Sequence, residues 1–162
     1  MRGKNSGKTW WKRSGQELSE PERLDALAKW CEELPASEQR AGFERAIDEL
    51  MDAGTEAEES MQHTARKWIG LLADSGAFES AAIAMIPRSA IYTGGRMADG
   101  RYVAQVILHG GIAANSRTAC SLAMAWLAAL LRAFARQSIE AAAGEAGNHG
   151  LAASGMGAAG AH

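Results

Sequence analysis

In SAIYTGGRMADGRYVAQVIL, residues 89–108, the spacing of apolar residues changes from helical to extended. Upstream of it the apolar residues recur with a period near 3.6; inside it the period is 2. Residues 89–93 and 101–108 are rich in β-branched and aromatic side chains, and the GGRMADG between them holds Gly94, Gly95, Asp99 and Gly100. Two such runs around a glycine-loaded connection predict a β-hairpin, with Arg96 and Met97 at its exposed tip. His109, Gly110 and Gly111 then close the second strand.

Near the N-terminus, Ser19 and Glu22 have capping-box spacing with Pro21 in the first turn. Leu24, Leu27, Cys31 and Leu34 form one stripe before Pro35 stops the helix. A second helix over about 37–53 places Phe43, Ile47 and Leu50 on one side. Thr55 and Glu58 repeat the capping box ahead of a third stripe of Met61, Ala65, Trp68, Leu71 and Leu72, and a short helix over about 77–86 ends at Pro87. On the other side of the hairpin, Ser116 is placed to cap a long helix over about 117–142. Leu122, Trp126, Leu130 and Phe134 lie on one face of it and Ala123, Leu127 and Leu131 on the next. So wide an apolar surface needs cover on more than one side. The expected class is α+β, mainly helical: N-terminal helices and a β-hairpin or small antiparallel sheet, packed by a long C-terminal helix. Residues 19–143 form the domain; 1–18 read as a flexible basic arm and the Gly/Ala-rich 144–162 as a disordered tail.

Charge is partitioned along the chain. Residues 1–13 carry Arg2, Lys4, Lys8, Lys12 and Arg13 and no acid, 16–60 hold fourteen acids against four bases, and 61–140 are basic again. Such zoning suits acidic helices with solvated outer faces on which the basic arm folds back, or else a surface with an acidic and a basic side that each meet a partner. GKNSGKT at 3–9 approaches a phosphate-binding loop, but three residues rather than four separate Gly3 from Gly7, so the backbone N–H groups cannot close round a phosphate in the usual way. Cys31 and Cys120 lie far apart in apolar helical patterns and read as buried thiols of a cytoplasmic protein. The longest apolar run is too short to cross a bilayer.

Little supports catalysis. His63 falls on a helix beside Arg66 and Lys67, and His109, at a strand end, has no nucleophile or carboxylate beside it in sequence. Glu32-Glu33 and Glu58-Glu59 are adjacent on helices and point apart, so no carboxylate dyad is expected. No metal-ligand spacing is present, and no cofactor or catalytic residue is assigned.

FESAAIAMIP, GRYVAQVIL and SRTACSLAMAWLAALLRAF, within residues 78–134, resemble the small bacteriophage proteins grouped as the phage ABA-sandwich family. Ala81, Ala82, Ile86 and Pro87, then Gly100, Arg101 and Ala104, then Thr118, Ala119, Leu122, Ala123, Leu130, Arg132 and Ala133 carry the likeness. The resemblance implies a phage or mobile-element origin and helix–sheet–helix layering, and it supplies no catalytic residues. Two functional readings follow. The first is a non-enzymatic protein that binds and modulates a host protein complex in the host cytoplasm, an inhibitor of a defence nuclease such as a CRISPR effector being one case. It would dock through its acidic helices or through the hairpin, there using Arg96, Met97, Arg101 and Arg117, where arginine can grip carboxylate or phosphate and methionine adapts to an apolar pocket. The alternative is a nucleic-acid-binding accessory protein. In that reading Trp10 and Trp11 stack on bases while Lys8, Lys12 and Arg13 meet phosphates. Self-association stays open in both.

Overall fold

Ser19 donates its backbone N–H (2.8 Å) and its hydroxyl (3.0 Å) to the Glu22 carboxylate. These bonds, the backbone one foremost, hold the Glu22 carboxyl below its ordinary range and close the first turn of α1 (Glu20–Glu33). In this computed structural model, which describes residues 17–50 and 56–154, α1 buries Leu24, Leu27, Ala28 and Cys31 and ends where Leu34 turns extended ahead of Pro35. A 3-10 turn at Ala36–Glu38 leads into α2 (Gln39–Leu50), which turns Phe43, Ala46 and Ile47 inward. Then come α3 (Glu56–Asp74), α4 (Phe78–Met85), the strands β1 (Ile91–Arg96), β2 (Tyr102–Ile107) and β3 (Ala113–Asn115), and α5 (Leu122–Ser154). The Thr55–Glu58 capping box lies outside the described residues, as do 1–16 and 155–162.

The fold is α+β, with a three-stranded antiparallel sheet in the order β1-β2-β3 packed on the long C-terminal helix. α1 and all three strands lie along α5, and α4 and α2 add further cover. Its first half is therefore enclosed: Met124, Leu127, Leu130 and Leu131 are all fully buried, with small Ala125, Ala128 and Ala129 letting neighbours approach. Phe43 stacks on Phe78 at 6.1 Å between ring centroids and ties α2 to α4.

Several expectations need correction. The last helix starts at Leu122, not Arg117. Ser121 is its capping residue, its hydroxyl accepting the Met124 N–H at 3.3 Å. Ser116 instead extends the sheet, since its hydroxyl accepts the Ala104 N–H (2.8 Å) and its own N–H goes to the Ala104 carbonyl (2.9 Å). β3 replaces what read as a connection. α5 also continues past residue 142 through Gly144 to Ser154, and residues 141–148 of it are exposed.

The third helix packs by a different face from the one expected. Ile69 and Ala73 are buried against α2 and α4, whereas Trp68 and Leu71 are 58% and 53% exposed. The reason is tertiary: α2 and α4 cover the face that carries Ile69 and Ala73, and the exposed ion pairs Arg40–Asp74 (2.9 Å) and Arg66–Asp48 link α2 to α3 beside that contact. Cys31 is buried as expected, but Cys120 is exposed, lying in the loop just before α5.

The deepest polar contact is an ion pair. Glu32, 3% exposed, takes Arg132 Nη1 and Nη2 at 2.6 Å each, and its Oε2 also accepts the backbone N–H of Arg117. Hydrogen bonding to Glu32 raises the Arg132 pKa further above its ordinary value. One carboxylate thus joins α1, α5 and the β3–α5 loop.

Candidate functional site

The hairpin turn is built from local rules. The Met97 N–H donates to the Arg101 carbonyl (2.7 Å), the Gly100 N–H to the Met97 carbonyl (3.0 Å), and the Arg101 N–H to Asp99 Oδ1 (2.9 Å). Gly100 sits at φ 84°, the left-handed position that this three-residue loop requires. The turn is shorter than the sequence suggested, because Gly94, Gly95 and Arg96 belong to β1. Gly94 is there for close approach: a methyl at that position would lie 2.8 Å from Leu122 Cδ1 and 2.9 Å from Trp126 Nε1. Trp126 holds the strand down, its indole N–H on the Thr93 carbonyl (3.2 Å) and its ring edge-to-face with Tyr92 at 5.6 Å.

Register then sorts the side chains. Tyr92, Gly94 and Arg96 pair with Val106, Ala104 and Tyr102 on the face toward α5; Ile91, Thr93 and Gly95 pair with Ile107, Gln105 and Val103 on the opposite face. β3 adds Ala113 and Asn115 to that outer face. The strands pack on α5 and on one another, and among the described residues no other element covers them. Three rows result: apolar Ile91, Ile107 and Ala113; polar Thr93, Gln105 and Asn115; and a bare row of Gly95 and Val103. A shallow groove of about 460 Å³ runs over the last two rows and reaches Ser116.

The four proposed contact residues divide. Arg101 reaches across to the Thr118 carbonyl (3.2 Å), which places its guanidinium beside Arg117 in the loop leading to α5. Arg96 is not at the tip but at the end of β1, with its Nη2 near Gly100; Met97, the first residue of the turn, is 42% exposed. Lys8, Trp10, Trp11, Lys12 and Arg13 lie outside the described residues. His63 and His109 are exposed on α3 and in the β2–β3 turn. Among the described residues no three His, Cys, Asp or Glu side chains gather as metal ligands, and no helix is long and apolar enough to cross a membrane.

Two features escaped sequence reasoning. The outer sheet face could have been sought in the alternation of Val103, Gln105 and Ile107, but β3, needed to complete its rows, is only three residues long. The outward Trp68 and Leu71 carry no sequence signal that separates them from buried neighbours. No protein-family profile, curated protein or solved structure matches the chain.

Proposed function

We propose that the protein is a non-enzymatic binding module that docks a partner protein on the uncovered face of its sheet and on the arginine-bearing end of the hairpin. The observation that carries this reading is the outer face itself. One side of the sheet is packed on α5, while the other offers an apolar row, a row of donors and acceptors, and an open glycine row, with Arg101 and Arg117 at the border. An apolar patch with a polar and charged rim is the usual composition of a protein-binding surface. The resemblance of residues 78–134 to phage proteins directs the search for the partner to host complexes, a defence nuclease such as a CRISPR effector being the case to test first.

Affinity capture from a bacterial host tests the reading. Arg101→Glu with Arg117→Glu, and separately Gln105→Arg on the sheet face, should each abolish recovery of a partner that the wild type retains, with circular dichroism and melting unchanged. Recovery of the same partner by all three proteins would refute the assignment of this face. Recovery of nucleic acid alone, lost when Trp10 and Trp11 are replaced, would favour the arm.

A further inference from the structure

The two edges of the sheet are treated differently. In β3 the outward carbonyls of Ala113 and Asn115 are taken by Arg136 and by Arg132 (3.4 Å for the latter), so two side chains of α5 seal that edge. At the other edge nothing corresponds. Because the Met97 N–H points at β2, and alternate residues of a strand point alternately, Ile91, Thr93 and Gly95 also bond toward β2. The N–H and C=O groups of Tyr92, Gly94 and Arg96 therefore face outward. They have no partner among the described residues, and all six residues of β1 are exposed. β1 has no proline and no charge before Arg96, so it lacks the usual devices that keep an edge from pairing.

We infer that β1 pairs antiparallel with β1 of a second copy of this chain, in a register centred on Gly94, to give a continuous six-stranded sheet about a two-fold axis. The chemistry of the strand selects this occupant, because the sequence is complementary to itself read backwards. Gly94 meets the partner's Gly94 in a hydrogen-bonded pair where neither copy offers a side chain. On the α5 side Tyr92 meets the partner's Arg96, cation against aromatic ring, and no arginine faces an arginine. On the outer side Ile91, 63% exposed, meets the partner's Met97, and Thr93 meets the partner's Gly95, beside which there is open space. Each outward N–H and C=O of Tyr92, Gly94 and Arg96 gains a partner. The pairing leaves Gln105, Arg101 and Arg117 free, so it extends the proposed docking face across both copies and stands or falls independently of that reading.

Sedimentation of the full chain, with reductant present, gives the first test. The wild type should approach twice its 17.1 kDa mass at about 100 µM, where pairs of micromolar Kd are populated. Arg96→Pro removes one outward N–H without touching the ladder to β2 and should weaken the dimer by at least about tenfold. Register is tested separately in a Cys120→Ser background by mixing a Thr93→Cys chain with a Gly95→Cys chain. These positions form a non-hydrogen-bonded cross-strand pair, within disulfide reach, so the mixed disulfide should form ahead of either homodisulfide. A monomeric wild type, a dimer undiminished in a folded Arg96→Pro variant, or no preference for the mixed disulfide would each overturn the inference. If Arg96→Pro does not fold, the disulfide result decides alone.

Discussion

Replacing Glu32 by Gln probes the most heavily shared contact in the molecule. The carboxylate is 3% exposed, accepts two bonds of 2.6 Å from Arg132, and accepts the Arg117 N–H besides. The amide keeps the shape but loses the charge, and it must present an NH₂ group to a guanidinium that only donates. Removing one partner of a buried pair leaves the other charged and desolvated, at a cost of about 3–5 kcal/mol. Arg132 retains Asp25 at 3.3 Å and the Asn115 carbonyl at 3.4 Å, and its side chain is not fully enclosed, which places the cost near the lower end, about 3 kcal/mol. In a domain of this size that lowers Tm by about 6–12 °C. Urea titration followed by circular dichroism should show a reduced midpoint with an unchanged m-value. Because most of the loss is the stranded arginine, adding Arg132→Met to Glu32→Gln should recover part of it, so that the double variant is less destabilised than the two single effects combined. A Glu32→Gln protein within about 0.5 kcal/mol of wild type, the range of ordinary surface substitutions, would refute this account, as would strict additivity with Arg132→Met.

The thiols and the glycines of β1 supply two further expectations. Burial, with the Glu32 charge adding to it, pushes the Cys31 thiol up to about 12, while Cys120 is exposed. A thiol reagent at pH 8 should therefore titrate one cysteine quickly and the second only on unfolding; two fast equivalents would place Cys31 outside the core. Since the raised pKa means that the native state disfavours the thiolate, the stability this contributes is present below the ordinary value of 9.0 and lost as pH rises toward about 12, and Cys31→Ala should remove that alkaline slope. Gly94→Ala drives a methyl into Leu122 and Trp126 and should cost about 1–3 kcal/mol, whereas Gly95→Ala enters open space and should be neutral or stabilising by less than about 1 kcal/mol. Equal effects in denaturant melts would show that β1 does not lie on α5 as described.

Features settled within a few residues were legible in the sequence. The Ser19–Glu22 box spans one helical turn, Pro35 and Pro87 act on their immediate neighbours, and the alternation along β2 reflects one strand on one packed face. The apolar width of the last helix likewise announced that it would be enclosed, and it is. Tertiary structure decided the rest because the deciding partner is remote in sequence. Gly94 and Gly95 look alike as letters of a turn, yet one lies on Trp126 and the other faces open space. Ser116 and Ser121 are both eligible caps, and the choice falls to Ala104, which draws Ser116 into the sheet. Trp68 faces out because α2 and α4 cover Ile69 and Ala73 instead, and Arg101 meets the Arg117 loop only because the sheet folds back onto α5. The candidate surface belongs to this second group: β1 and β2 were legible as strands but β3 was not, and the arrangement into rows with an open edge exists only once three strands are in register on a common helix, since pairing across strands is a relation that no single stretch of sequence contains.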